Sequence, residues 1–276
     1  MTGPARPRTE RPPSIDVLGT QISAINLTDA AEAIEDWIGR RERRYVCVAN
    51  VHSVMEAHRD PGLRRVMNGS GLTTPDGMPL VWLLKHAGYD RASRVYGPDL
   101  LLEVCQRSVA TGRRHFFLGG AEGVAATMAE RLQTRFPGLQ IAGTLSPPFR
   151  RLTPEEDEEL VQTVNDAKPD VVWVGLGAPK QELWMADHRV RLDAPVLVGV
   201  GAAFDFHAGT VKQAPAVLQR AGLEWAYRLL KEPRRLWYRY LVYNPWFAVL
   251  VATRQWQAGR RTGGSLAPDD DDARAG

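Results

Sequence analysis

Short apolar runs alternate with amphipathic stretches through the middle of this 276-residue chain. The runs lie at 44–49, 115–118, 139–144, 170–175 and 195–200, and each of the last four is four to six residues long and bounded by Gly, Pro or Asp. Runs of this length are typical of strands that are buried on both faces of a parallel sheet.

Helical patterns lie between these runs. Thr28 is placed to cap a helix over 29–43, and apolar residues recur at helical spacing over 121–136. Thr153-Pro154-Glu155-Glu156 has the cap, the proline and the acidic first turn of a helix start. Strands and helices that alternate through short loops predict an α/β fold: a doubly wound, mostly parallel sheet with a Rossmann-like core over 15–222.

The two ends and one further segment depart from this rhythm. Residues 1–14 are rich in Pro and Arg and predict a disordered lead-in, and 259–276, with its acidic run at 269–272, predicts a disordered tail. Residues 223–258 are helical in pattern but contain Pro233 and Pro245. We interpret them as a helical appendage to the core.

Composition restricts the class of protein. The formal net charge of +3 does not by itself indicate a nucleic-acid partner. No apolar run reaches the ~18 residues of a membrane span, and the N-terminus lacks the apolar core of a signal peptide. Two unpatterned cysteines, Cys47 and Cys105, are typical of reduced cytosolic thiols. We therefore expect a cytoplasmic protein.

The appendage differs from these averages. Nine of the 22 aromatic residues fall between Trp225 and Trp256, and seven basic residues against two glutamates give the stretch from Glu224 to Arg260 a charge of +5. Trp and Tyr favour the headgroup region of bilayers, and anionic lipids attract nearby basic residues. We interpret 223–258 as a contact with an anionic membrane surface; core burial of the rings and stacking on nucleic acid are the alternatives.

Three glycine turns follow predicted strands, at 119–123, Gly175–Gly177 and Gly199–Gly201. At the carboxyl ends of parallel strands such turns point main-chain N–H groups into one crevice, which suits a phosphate or diphosphate. Tight strand-to-helix packing is the alternative for any single turn. The sequence has no G-x-G-x-x-G fingerprint, P-loop, G-x-S-x-G elbow or cluster with metal-ligand spacing, which disfavours a dinucleotide oxidoreductase.

Several polar residues lie beside the predicted strand ends. Asn50 is placed to bind a sugar or amide. Asp76 has two interpretations: a cap on the apolar helix that follows, or a general base that accepts a hydroxyl proton. Arg94 either pairs with Asp99 at a helix start or faces a phosphate.

Two later stretches add candidates. Lys180, Gln181 and Glu182 open a predicted helix, and Asp205 and His207 follow the last predicted strand. A histidine without an evident carboxylate partner is more often structural, and we interpret His207 in that way.

Taken together, these segments resemble the WecG/TagA/CpsF family of bacterial glycosyltransferases. The matching stretches occur in the family's order and cover nearly all of 15–250. They are NVHSVM (50–55), TTPDGMPLVW (73–82), RVYGPDL (94–100), FFLGG (116–120), PPFR (147–150), VGLGAPKQE (174–182), GVGAAFDFHAG (199–209) and LEWAYRLLKEPRRLWYRYLVYNP (223–245).

The resemblance implies an inverting transferase that needs neither metal nor cofactor. Such enzymes move a sugar, often N-acetylmannosamine, from UDP to an undecaprenyl-diphosphate-linked sugar in the synthesis of surface polysaccharides or wall polymers. This implies a peripheral location on the inner face of the cell membrane, with no nucleic-acid partner. A homo-oligomer is left open, and a non-catalytic nucleotide-binding scaffold is the alternative function.

The resemblance also assigns roles to residues. Asp76 falls at the family's catalytic base, and Arg228 and Arg235 are candidates for appendage arginines that close the active site. The residues at positions implicated in the sugar-nucleotide site are Asn50, Arg94, Gln181 and Asp205. The glycine turns and the helix start add Gly119, Gly120, Gly177 and Lys180 as substrate contacts. Two positions depart from the family: Val48 replaces a frequent Thr or Ser, and Gln213 replaces an arginine.

Overall fold

The computed structural model of the chain describes residues 11–215, 217–218, 224–231 and 233–263. Residues 1–10 and 264–276, most of the predicted lead-in and tail, lie outside the described residues. The strands are β1 (Ser14–Val17), β2 (Thr20–Ser23), β3 (Arg44–Ala49), β4 (Leu72–Pro75), β5 (Arg114–Gly119), β6 (Gln140–Leu145), β7 (Val171–Gly175) and β8 (Val196–Gly199). The helices of the core are α1 (Leu27–Arg40), α2 (Val51–Arg59), α3 (Pro61–Gly69), α4 (Met78–His86), α5 (Gly97–Thr111), α6 (Val124–Arg135), α7 (Pro154–Asp166), α8 (Lys180–His188) and α9 (Ala203–Ala208).

The central sheet has six parallel strands in the order β4-β3-β8-β7-β5-β6. Helices α1, α5, α6 and α9 pack on one face, and α2, α3, α7 and α8 pack on the other. The doubly wound α/β fold predicted from the sequence is confirmed. A separate antiparallel hairpin, β1–β2, lies against α3 and β4.

Five of the six sheet strands coincide with the apolar runs to within one residue at each end. The sixth, β4, has the sequence LTTP and was not predicted, because its two threonines look polar although all four of its residues are buried. The expectation of burial on both faces is wrong for β6, which is only half-buried because it lies at the edge of the sheet.

One of the two predicted helix caps is confirmed and the other is wrong. The helix start predicted at Thr153 is confirmed, and the structure adds a capping box, with hydrogen bonds in both directions between Thr153 and Glu156. The predicted Thr28 cap is wrong: α1 begins two residues earlier, and Asn26 Oδ1 accepts from Asp29 N at 2.9 Å. Asn caps helices at least as well as Thr, so α1 begins after Asn26, two residues before Thr28.

The appendage consists of α10 (Glu224–Lys231), α11 (Pro233–Trp237), a π-helical turn (Tyr238–Tyr243) and α12 (Asn244–Gly263). Pro233 is the first residue of α11, where a missing N–H costs little, and Pro245 follows the π-helical turn, which continues into α12 with helical backbone at Asn244. The turn and α12 pack on α2. The last five residues of α12 lie beyond the boundary at 258, and residues 11–13 of the lead-in lie beside the hairpin, where Ala24 N donates to Pro13 O.

Candidate active site

The carboxyl ends of the parallel strands form one edge of the sheet, and the predicted site residues lie on the loops that leave it. Asn50 follows β3, Asp76 follows β4, Gly120 follows β5, Gly177 follows β7 and Gly201 follows β8. The β5 and β7 strands lead to helices on opposite faces of the sheet, and in doubly wound folds the ligand crevice lies at such a point. At ~4.8 Å per strand, the ends of β4 and β5 are about 19 Å apart, which gives room for an extended ligand.

Asp76 and Arg94 form the most specific polar contact at this edge. Arg94 donates to Oδ1 of Asp76 from Nη2 at 3.0 Å and from Nε at 3.2 Å, and Nε also donates to the Asp76 main-chain carbonyl at 2.7 Å. Gly77 holds the cap position of α4, and Asp76 lies one residue before it. The interpretation of Asp76 as a helix cap is therefore wrong.

The surroundings hold this pair in place. Asp76 N donates to Ala49 O and Val95 N donates to Pro75 O, both at 2.8 Å, so both partners are fixed to the ends of β3 and β4. The Arg94 guanidinium lies 4.1 Å from the centre of the Tyr96 ring. The Asp76 and Arg94 side chains keep 17% and 21% of their surface exposed, so both remain accessible to a ligand. A fixed carboxylate beside a fixed guanidinium suits proton abstraction next to a growing negative charge.

Asn50 has a structural role that sequence reasoning missed. It is the cap of α2: its Oδ1 accepts from Ser53 N at 3.3 Å, and Ser53 Oγ accepts from Asn50 N at 2.8 Å. Its main chain packs against Gly77, so the Asp-Gly turn lies directly beside it. Asn50 therefore fixes the start of α2 next to Asp76.

The glycine turns at β5 and β7 face each other across the crevice. Gly119 and Gly175 are paired in register, and a side chain on Gly119 would meet the Gly175 carbonyl oxygen at 2.5 Å. Gly177 has a positive φ of 78°, and open space surrounds the position where its side chain would stand. Gly119 therefore allows the close packing of β5 against β7, whereas the turn at Gly177 is open.

Lys180 and Gln181 open helix α8 after the Gly177 turn. Lys180 is exposed, whereas Gln181 is buried and bridges two loops. Its Oε1 accepts from Gly201 N at 3.1 Å, and its Nε2 donates to Glu182 Oε1 at 3.0 Å. Gln181 therefore joins the loop after β7 to the loop after β8.

Asp205 and His207 lie on the short helix α9. Asp205 is half-buried, and its Oδ1 accepts from Thr210 Oγ1 at 3.2 Å. His207 Nε2 lies 3.0 Å from the Pro98 carbonyl oxygen, and burial lowers its pKa. This contact ties α9 to the start of α5, in agreement with a structural role for His207.

Tyr243 anchors the appendage to the core. Its hydroxyl donates to Glu56 Oε1 at 2.6 Å and accepts from Arg59 Nη1 at 2.8 Å, and its ring stacks on His52. Phe247, one helical turn later, is also buried. These contacts attach the appendage to α2, the helix that Asn50 caps.

The opposite side of the appendage is apolar and exposed. Trp237, Leu241, Trp246 and Val249 each keep more than half of their surface exposed. Core burial of the aromatic rings is therefore correct for Tyr243 and Phe247 and wrong for Trp225, Trp237 and Trp246. The side chains of Arg228 and Arg235, the predicted active-site arginines, lie outside what the structure describes.

Two properties of the described residues concern membranes and metals. Within them, no helix has both the length and the apolar character needed to cross a bilayer. Over the same part of the chain, no three His, Cys, Asp or Glu side chains cluster in a way that would hold a metal ion.

Sequence reasoning missed two buried groups close to this edge. Glu182, which was noted only as part of a helix start, is 1% exposed, and burial raises its pKa. Tyr96, in the RVYGPDL stretch, supports the Arg94 guanidinium. An acidic residue one place inside a helix start gives no sequence signal of its burial, whereas an aromatic two residues from an arginine is a weak signal of stacking.

Comparison with known proteins agrees with this geometry. The family model of the "Glycosyl transferase WecG/TagA/CpsF family" matches residues 15–261. A relative from Bacillus spizizenii, described as N-acetylglucosaminyldiphosphoundecaprenol N-acetyl-beta-D-mannosaminyltransferase, is 33% identical over 205 residues, which are 74% of this chain and 77% of the relative. The match spans the whole core and the described appendage, and on this evidence the chain belongs to the WecG/TagA/CpsF family of glycosyltransferases.

Proposed function

We propose that this enzyme transfers N-acetylmannosamine from UDP to an N-acetylglucosamine carried on undecaprenyl diphosphate, with inversion at the anomeric carbon and without a metal. The description of the Bacillus spizizenii relative supports the acceptor and the transferred sugar. The observation that carries the mechanism is the Asp76–Arg94 pair at the carboxyl edge of the sheet.

In this mechanism Asp76 is the general base. A hydroxyl of the acceptor sugar gives its proton to the Asp76 carboxylate while its oxygen attacks the anomeric carbon of the donor. The bond from that carbon to the UDP oxygen breaks on the opposite side, so UDP leaves as an anion and the configuration inverts. General-base assistance of this kind contributes about 10²–10⁴ in rate.

The remaining candidates serve the leaving diphosphate. Arg94 is fixed beside Asp76, and the Gly177 turn opens onto the crevice at the start of α8. A guanidinium and main-chain N–H groups at a helix start stabilise growing negative charge without a metal. We assign the diphosphate to this region, together with Gly120, Lys180 and Gln181. We assign a hydroxyl group of the donor to the Asp205 carboxylate, and the transferred sugar to the side of Asp76 and Asn50.

One incubation tests this function. Purified full-length protein is given UDP-N-acetylmannosamine, UDP-N-acetylglucosamine or UDP-glucose with a lipid-linked N-acetylglucosaminyl diphosphate, and UDP release and product are measured. We expect transfer from UDP-N-acetylmannosamine, an inverted linkage, and an unchanged rate in the presence of EDTA. Absence of transfer from every donor would refute the function. Transfer from another donor only would refute the assigned sugar, and loss of the rate in EDTA would refute the metal-independent mechanism.

We also propose that the exposed face of the appendage lies on the anionic inner surface of the cell membrane, so that a lipid-linked acceptor reaches the site from the bilayer. Exposed Trp237, Leu241 and Trp246 form an apolar face, and Lys231 and Arg234 are exposed nearby in sequence. Contiguous exposed apolar surface with neighbouring basic residues is typical of a membrane contact.

Point variants test the membrane contact better than truncation, because removal of the appendage would also uncover the core around Tyr243. Leu241→Ser with Trp246→Ser should lower cosedimentation with phosphatidylglycerol vesicles at least tenfold. Val190→Ser is the matched control, since Val190, two residues after the end of α8, is an exposed apolar residue outside the appendage, with 78% of its surface exposed. Equal binding by the double variant and the control would show that this face does not contact lipid.

A further inference from the structure

A buried carboxyl group lies behind the candidate active site, outside the residues assigned above. Glu182 is 1% exposed, and its Oε1 accepts a hydrogen bond from Gln181 Nε2 at 3.0 Å. Its other oxygen, Oε2, is buried and has no hydrogen-bond partner among the residues that the structure describes. Burial of a half-satisfied carboxyl group is unfavourable for folding, whereas its removal would take this acceptor away from the buried Gln181 Nε2. The two effects oppose each other, so an apolar side chain of the same size should change stability little.

The contact to Gln181 connects this carboxyl group to the site. The Gln181 side chain lies against the end of β8, where a side chain on Gly199 would meet its Nε2 at 3.0 Å. Its Oε1 accepts from Gly201 N. Because Glu182 holds the Nε2 end of the amide, the Oε1 end is directed at Gly201.

The loop that Gln181 holds lies between the two parts of the site. Val200 N donates to Val174 O, and the Val200 carbonyl oxygen lies 3.2 Å from where a side chain on Gly97 would stand. Gly97 is three residues after Arg94, and Gly201 is four residues before Asp205. A shift of this loop would therefore move the Arg94 segment and the start of α9 relative to each other.

We propose that Glu182 is a positioning residue for the transfer reaction: it orients the Gln181 carboxamide, which in turn fixes the Val200–Gly201 loop across which the donor diphosphate binds. The inference rests on the proposed function for its kinetic consequence. The chain of hydrogen bonds from Glu182 to Gly201 stands independently of the substrate.

The test compares Glu182→Leu, which has similar volume but no acceptor, with Glu182→Gln, which keeps one. Glu159→Leu is the matched control, since Glu159 is exposed on α7. We expect Glu182→Leu to keep a thermal stability close to that of the wild type and yet to have a donor KM raised about tenfold with kcat lowered less than threefold. Glu182→Gln should restore the donor KM to within threefold of the wild type.

A structural role alone would lower stability and activity together, and that result, or a normal donor KM in Glu182→Leu, would overturn the proposal. Amide hydrogen exchange at Gly201 in the wild type gives a second readout that needs no variant, and exchange as fast as in an open chain would also overturn it. Protection at Gly201 that falls in Glu182→Leu supports it. An inactive wild type with a protected Gly201 amide would refute the proposed function and leave the positioning contact in place.

Discussion

Asp76→Asn is the substitution that most directly tests the chemistry. The asparagine keeps the size of the side chain and keeps an oxygen at the Oδ1 position, where Arg94 donates at 3.0 and 3.2 Å. The third contact, from Arg94 Nε to the main-chain carbonyl at 2.7 Å, does not involve the side chain. Arg94 should therefore stay in place, and the variant should lose only the basic carboxylate.

The expected loss follows from that single change. General-base assistance contributes about 10²–10⁴ in rate, and each factor of ten corresponds to about 1.36 kcal/mol in the activation free energy. Asp76→Asn should thus raise the barrier by about 2.7–5.4 kcal/mol. Because Arg94 and the glycine turns are retained, the Kd for UDP should change less than threefold.

The assay measures kcat from UDP release at saturating donor and lipid-linked acceptor, and the Kd for UDP by calorimetry. Asp187→Asn is the matched control, since Asp187 is an exposed aspartate on α8. A kcat above one tenth of the wild type in Asp76→Asn would refute the assignment of Asp76 as the base. A large loss of UDP affinity would instead show that Asp76 holds the nucleotide site together.

Three further predictions concern stability. Arg189→Met should destabilise the fold by at least ~3 kcal/mol in urea unfolding, because the buried guanidinium donates to four main-chain carbonyls and an unpaired buried carbonyl costs about 1–3 kcal/mol. The Pro195 carbonyl keeps a second donor, Arg44 N, so the cost falls on the other three. The stability of Arg189→Lys should lie between those of the wild type and Arg189→Met. Hydrogen bonds from Arg150 and from the Thr153 N–H lower the pKa of Glu156 from 4.5 to about 2. The stability that the ionised Glu156 contributes is therefore full above pH 4.5 and is lost as the pH falls towards 2. The Tm of Glu156→Gln should fall less over that range than the Tm of the wild type. Tyr243→Phe removes two hydrogen bonds and should lower the free energy of unfolding by about 1–3 kcal/mol. Amide exchange should become faster only in the appendage. Equally faster exchange throughout the chain would show that Tyr243 does not anchor the appendage.

Much of the fold could be predicted because buried parallel strands are nearly continuous apolar runs. The runs at β3, β5, β7 and β8 are of this kind, and their order with the helices indicated a doubly wound sheet. β4 was missed because Thr73 and Thr74 look polar in sequence, whereas in the structure Thr73 satisfies its hydroxyl with the Met67 carbonyl and is buried. Local hydrophobicity does not show which polar groups will find partners.

The candidate site was predicted in position more successfully than in detail. Asp76 could be placed on a loop at a strand end, but its partner Arg94 is 18 residues away, and a contact of that range is decided by the sheet order. For the same reason, the sequence alone could not decide whether Asp76 is a helix cap or a general base. Gln181 could be placed at a helix start, yet its contact with Gly201 depends on β7 and β8 being neighbours.

Helix α2 links the proposed base to the anchor of the appendage. Helix α2 begins at Asn50, beside the Asp76 turn, and its last turns hold Tyr243 through Glu56 and Arg59. Nine residues at ~1.5 Å each make α2 only about 14 Å long, so this is the separation between its start, beside the proposed base, and its last turn, which holds Tyr243. In the proposed function, an acceptor sugar on a lipid carrier reaches Asp76 from the bilayer surface. A short rigid helix between the base and the segment proposed to contact the membrane fixes that distance without a separate domain interface.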